Sequence, residues 1–534
     1  MSVFSHKSPF SMRPLPQVRA ALRRGRSRLP SLTAVVAAAA LLLTAVFVGL
    51  VVALGVPQFT IVLAGVLIFI PVLLFVNTAN LMPVMFVAVF FVSGMAQYFF
   101  SLRLATWMAS GLSALFFVRA VLEVMLSSRR PAAERGEPQH ALIVPLCASV
   151  YLLFYFFSLA LGHSTLAQTV SVLRFCLPMF GVLFAMYWFK WSPRRLHLLW
   201  ILIVWITLAQ LPVTLYQHFF KMNALGWDGV VGSFGGNMSP VLVLFSVAAM
   251  LYLLARWSRG LTPWWQVAAV FVVGIAVVLL GEVKAVFIWL PIGVFWVLRR
   301  KVLRNFAAFI VFSALMMAFL AGTFAVYHAL YWGQHTKTDT MEEKLNSMGG
   351  YVVDPNGINY VTGEISRGAS LALWYRDPVP SVQERLIGYG PGASLTSQST
   401  GRGVVAARYR RLDIGATGMA SLLWDVGILG ALLFASIFGS GFLVGWRYVK
   451  NSGAEADGAA LAMVDTATAM MLLALSTLIY NKTLIDEPTA QLLAYFCLGC
   501  IVQCARYLPV PAPAAPVPRA PKRAGAGGRM KIAS

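Results

Sequence analysis

Residues 285–330 read AVFIWLPIGVFWVLRRKVLRNFAAFIVFSALMMAFLAGTFAVYHAL. Two apolar runs, 285–298 and 305–328, are joined by Arg299-Arg300-Lys301 and Arg304, and the second opens into the chain's one long polar stretch, residues 331–418. A bilayer core needs about 20 apolar residues per helical crossing. Outward from this pair, further runs lie at 32–54, 58–77, 81–100, 105–126, 141–162, 166–189, 197–216, 238–255, 265–281, 418–446, 460–480 and 488–505. The fold class read from them is an all-α polytopic membrane protein of about 12–14 transmembrane helices with one large exported loop. Composition agrees, with 59% hydrophobic and only 11% charged residues, against a quarter charged in ordinary soluble domains.

The formal net charge is +23. Its distribution argues against nucleic acid, because most Lys and Arg fall in the tails or in alternate short connectors: Arg23/Arg24/Arg26/Arg28, Arg129/Arg130/Arg135, Lys190/Arg194/Arg195, Arg256/Arg259, Arg299/Arg300/Lys301/Arg304, Arg447/Lys450 and the C-terminal tail. Such connectors mark the cytoplasmic face. Counting crossings from a cytoplasmic N-terminus puts every cluster on one side and the 331–418 loop on the other. The basic charge is thus an orientation signal and an attraction to anionic membrane lipids.

The expected organisation is a basic tail at 1–30, spans 1–11 over 31–330, the loop at 331–418, spans 12–14 over 419–506 and a Pro/Ala/basic tail at 507–534. The first span reads as a retained helix rather than a cleaved signal. All five cysteines fall within spans, so no disulfide is expected in the loop. Cys497, Cys500 and Cys504 read as small buried hydrophobes. Within the loop, residues 341–348 (MEEKLNSM) suggest a short helix, Asp354-Pro355-Asn356-Gly357 a turn, and 366–377 a second helix.

Charges at membrane depth are costly and are usually paired or functional. Arg174, deep in the sixth span, and Glu282 and Lys284, between two runs on the loop side, are therefore candidates. The alternatives are a structurally satisfied Arg174 and an interfacial Glu/Lys pair. The loop adds Arg367, Arg385, Arg408, Arg411 and Asp413 beside Gly388-Tyr389-Gly390-Pro391-Gly392. Guanidinium groups there suit a phosphate or diphosphate at headgroup level. No metal cluster, Walker loop or Ser-His-Asp arrangement stands out, and no cofactor is expected.

Ser366-Arg367, Trp374, Ile387 to Ser394 (IGYGPGAS) and Leu422 to Gly430 (LLWDVGILG) together resemble the signature of the O-antigen ligase and O-antigen polymerase superfamily. Gly232 to Asn237 (GSFGGN) is similar to that family's glycine-phenylalanine-asparagine segment, and Val283-Lys284-Ala285 occupies its Ser-Arg or Ser-Lys step. The resemblance covers residues 232–430 in order. It implies a metal-independent glycosyltransferase of the membrane type C-like architecture, in the bacterial inner membrane, acting on the periplasmic side. Its donor would be an undecaprenyl-diphosphate-linked glycan and its acceptor a glycan or lipid, with a chain-length regulator as a further partner. Lys284 and Arg367 would stabilise the leaving diphosphate. Arg174, Asn237, Trp374, Arg385, Gly388, Gly390, Gly392, Arg408 and Arg411 would hold substrate. The sequence departs from the pattern where ligases carry His-Asn, since 415–418 read Gly-Ala-Thr-Gly. That favours a polymerase or exopolysaccharide-associated relative and leaves Asp413 or Glu282 as base. The competing classes are a lipid-linked oligosaccharide flippase and a non-catalytic assembly protein.

Overall fold

The computed structural model describes residues 76–102, 105–126, 139–177, 179–221, 229–235, 238–281, 283–329, 349–350, 353–397, 400–409, 412–452 and 457–507, with isolated residues 45, 46 and 49. Nearly all of the expected spans 32–54 and 58–77, the 341–348 helix and almost all of both tails lie outside the described residues. So do Glu282, Asn237 and Arg411.

The helices run α1 Thr78–Phe100, α2 Ala105–Leu126, α3 Ile143–Leu161, α4 Leu166–Cys176, α5 Phe180–Trp188, α6 Pro193–Tyr216 and α7 Ser239–Trp257. Next come α8 Trp264–Leu280, α9 Val286–Val302 and α10 Phe306–Tyr327. The polar loop carries α11 Arg367–Arg376, α12 Val382–Ile387, α13 Val404–Arg408 and α14 Gly418–Asp425. The chain then follows α15 Gly427–Asn451, α16 Gly458–Tyr480, the short α17 Thr483–Asp486 and α18 Pro488–Tyr507. Among the described residues nine helices are long and apolar enough to cross a membrane, or ten if the bent pair α4 and α5 is one span. The only β pairing described is two isolated bridges, Ile358–Ile365 and Thr396–Arg402.

Two of the sequence runs are broken. The 166–189 run bends by 47° between α4 and α5, where the sequence carries Pro178, a residue that cannot donate to a continuing helix. The 418–446 run splits into α14 and α15 at Gly427, whose φ of +69° is left-handed. Apolar composition reports how long a run stays out of water, not which φ each residue adopts.

Helices α18, α7 and α16 form the centre, with 94, 89 and 72% of their apolar windows buried, while α10 is peripheral at 6%. Small residues allow the close approach, since lipid offers no hydrophobic force to drive helices together. Gly441 of α15 meets Leu498 of α18, Gly445 meets Thr468 of α16, and Gly499 meets Met186 of α5. Cys497, Cys500 and Cys504 lie buried in α18 as free thiols. At the end away from the loop, the buried Asp465 of α16 pairs with Arg259, just beyond α7, and with Arg299 of α9 at 2.9 Å. One carboxylate thereby joins three elements.

Candidate functional site

The loop has its own small core: Ile365, Ala369, Trp374, Ala393, Val405, Ala406, Leu412, Ile414 and Trp424. Ser366 caps α11 by accepting the Ala369 N–H, which aims Trp374 inward, where its indole Nε1 donates to the Leu423 carbonyl at 3.1 Å. Arg385 donates to the carbonyls of Trp374 at 3.2 Å and Asp377 at 2.6 Å. Arg408 lies 3.5 Å from the buried Asp377 carboxylate and over the Tyr389 ring. Trp374, Arg385 and Arg408 therefore hold the loop's own fold, each through a contact within it.

The glycine turn joins this core to the bundle. Gly388, Gly390 and Gly392 have φ of +84°, +96° and +92°, values that suit glycine alone. The Gly390 backbone lies against Gly162 at the end of α3, where a Cβ on either glycine would come within 2.6 Å of the other's Cα. The Tyr389 and Gly390 N–H groups donate to the carbonyls of Trp424 and Asp425 at 3.0 and 2.9 Å. The Asp425 carboxylate accepts from Gly392 N–H at 3.1 Å and Ser394 N–H at 2.8 Å. Burial pushes this carboxyl up to about 6, opposed by those donors. The bundle also reaches the loop: Ser158 donates to the Ile387 carbonyl at 3.0 Å, Ser164 to Pro391 at 2.6 Å and Gln168 to Arg402 at 3.0 Å.

Under the turn lies a cavity of about 220 Å³, with Tyr151, Tyr155 and Cys176 on its bundle side and Ser394, Ser421, Asp425, Lys482 and Asp486 among its polar lining. The Lys482 ammonium sits 3.7 Å from Asp486 and 3.9 Å from Asp413. Burial disfavours its charge, yet Asp486 and Asp413 outweigh burial and hold its pKa above the ordinary lysine value. Lys482 and Asp486 still keep 40 and 41% of their side-chain surface open. Their burial is thus depth beneath surrounding protein, with the open surface facing the cavity. Burial also raises Asp486, with Lys482 opposing and Asp413 adding. One oxygen of Asp413, Oδ1, has no hydrogen-bond partner. Lysine, carboxylates and hydroxyls around a small cavity are the groups that hydrogen-bond a polyol and exchange a proton with it.

Three more of the expected cations, Arg367, Lys284 and Arg174, lie among the described residues. Arg367 lies over the Tyr480 ring at 3.8 Å, two residues before Lys482. Lys284 is exposed in the break between α8 and α9; α9 then packs Trp289 against the same Tyr480. Arg174 stacks on Trp107 at 3.8 Å, its Nε has no hydrogen-bond partner, and it attracts Glu487. Upstream, the Gly232–Phe234 backbone is irregular and buried, where every polar group needs a partner. Gln217 accepts from the N–H groups of Val231 and Gly232, and Gln210 from that of Ser233. Ser233 in turn donates to Phe90 in a π-turn of α1.

The sequence reading passed over the Asn481–Glu487 connector. Its signal was three charges, Lys482, Asp486 and Glu487, in seven residues of a chain only 11% charged. Burial pushes Glu487 up to about 8, Asp486 adds to the rise, and Lys482 and Arg174 oppose it. A carboxyl raised from 4.5 in the unfolded chain binds its proton more firmly when folded, so its contribution to stability is present at low pH and is lost as pH rises towards 8. Glu487→Gln mimics the protonated form. Its thermal midpoint should match the wild type at pH 5 and exceed it by several degrees at pH 8.5. A midpoint difference that does not change with pH would exclude this titration.

Among the described residues no group of three or more His, Cys, Asp or Glu side chains is arranged to hold a metal ion. No protein-family model matches the chain, and no curated protein matches it.

Proposed function

We propose that this multi-pass protein is an inner-membrane glycosyltransferase that polymerises or ligates undecaprenyl-diphosphate-linked glycans on the periplasmic face. The observation that carries the reading is the Asp413–Lys482–Asp486 cluster at a cavity roofed by the glycine turn, with Arg367 against the adjoining Tyr480. The ordered resemblance over 232–430 supports the same reading.

In the proposed reaction an acceptor hydroxyl attacks the anomeric carbon of the donor sugar. A new C–O bond forms, the bond from that carbon to the diphosphate oxygen breaks, and the lipid diphosphate leaves with the electron pair. The hydroxyl proton passes to Asp413 or Asp486, the carboxylates beside Lys482. Lys284 and Arg367 meet the charge that develops on the leaving diphosphate, with Arg174 as a further cation; fixed cations of this kind are worth most where charge appears in the transition state. The oligosaccharide would enter beneath the turn, and the prenyl chain would lie against lipid-facing spans.

The test is polymer formation by the full chain in nanodiscs supplied with lipid-diphosphate-linked repeat units. Arg367→Ala and Lys284→Ala should each slow transfer by about 100-fold. Unchanged polymer length and yield in both variants would remove these cations from the reaction. Donor binding by the wild type without turnover would favour the non-catalytic assembly class.

A further inference from the structure

Helix α12 buries none of its residues, and its exposed side chains include apolar ones beside Gln383. Val382 and Leu386, four residues apart and hence on one face, are 76 and 40% exposed, and the preceding Val379 and Tyr375 are 64 and 76% exposed. Three polar residues of the same turn, Ser381, Glu384 and Arg385, are spent locally. Ser381 and Glu384 form a capping box, and Arg385 donates to three backbone carbonyls, those of Trp374, Tyr375 and Asp377. This arrangement matches a short helix lying in a membrane interface, with its apolar face down and its backbone ends satisfied by its own protein.

The neighbouring element fixes the height of this face. Helix α12 packs against the start of α15, where the Leu386 carbonyl lies so close to Gly427 that a Cβ there would come within 2.5 Å. Below that junction α15 is a membrane-spanning helix whose Leu429 and Leu432 are 43 and 63% exposed. Through this contact the exposed apolar residues of α12 adjoin the first turns of a candidate span that itself exposes Leu429 and Leu432. Lipid is already the neighbour of α15, so α12 needs no separate protein partner to cover it.

We propose that Tyr375, Val379, Val382 and Leu386 form a membrane-interface anchor, seated in the headgroup–acyl boundary on the loop side of the bilayer. The anchor holds the glycine turn, which begins two residues after Leu386, at headgroup level. It depends only on the protein spanning a membrane and is independent of the glycosyl-transfer reading.

The test uses the full chain in nanodiscs of phosphatidylethanolamine and phosphatidylglycerol, with a nitroxide label at Val382→Cys, at Leu386→Cys, and at Pro355→Cys in the exposed Asp354–Gly357 turn. Signal from native cysteines is subtracted using the labelled wild type. Power saturation with oxygen and with a water-soluble nickel chelate then reports the surroundings. Labels at 382 and 386 should be reached by oxygen in preference to the chelate, with the reverse at 355. Chelate access at 382 and 386 equal to that at 355 would overturn the anchor. Protection from both reagents would overturn it too, by showing a protein neighbour such as a second copy of the chain.

Discussion

Gly388→Ala is expected to detach the loop from the bundle. Gly388 adopts φ +84° and ψ 179°, a region of backbone space that is essentially glycine's alone. A Cβ there would also stand 2.3 Å from the Asp425 carbonyl oxygen and 2.5 Å from the Val426 nitrogen, both main-chain atoms that no rotamer change can move. Strain and clash add, so a loss of at least ~3 kcal/mol is expected. The damage would spread, because the same backbone pairing carries the Asp425 bonds to Gly392 and Ser394. Gly260 supplies the control: its φ is +72° but a Cβ meets nothing within 4 Å, so Gly260→Ala carries the conformational cost of about 1 kcal/mol alone. Thermal unfolding and protease cleavage within residues 353–417 should both separate the two variants. Equal midpoints would show that the turn does not hold the loop in place.

If the proposed glycosyl transfer holds, the second large effect is on turnover. Asp413→Asn with Asp486→Asn should reduce glycan transfer by about 10²–10⁴-fold, the range for removing a general base, while binding of the lipid-linked donor persists. The two carboxylates flank one lysine at 3.9 and 3.7 Å, so either can accept the proton when the other is changed. Each single variant should therefore lose less than the double variant, and the single effects should not add. Asp486 and Asp413 are what outweigh the burial of Lys482, so thermal unfolding of each variant is measured beside transfer, and transfer is compared where the variant stays folded. Wild-type transfer by the double variant would eliminate this pair as base.

Hydropathy made most of the helices legible. The runs from 81–100 to 488–505 correspond to helices whose ends differ by a few residues, because a crossing needs a fixed length of apolar chain. Breaks within a run were not legible: the kink after Cys176 and the left-handed Gly427 change direction without changing composition. For the site, the glycine turn stood out in the sequence but its contact with Asp425, which accepts from the Gly392 and Ser394 N–H groups, did not. The direction of each side chain was hidden. Trp374, Arg385 and Arg408 were expected to hold substrate, and the bonds described for them run to Leu423, Trp374 and Asp377 of the same folded segment. Lys482 and Asp486 drew no reading at all, yet they line the cavity, because α17 brings the connector to it.

The Asp465 junction bears on how the chain is made. A carboxylate in an otherwise apolar helix is costly to insert alone. Synthesis runs from the N-terminus, so Arg259 and Arg299 exist before α16 emerges. The last-made partner of the trio is thus the one that would be most costly in lipid by itself, and it meets two waiting guanidinium groups. Insertion of α16 then depends on the earlier helices having already packed.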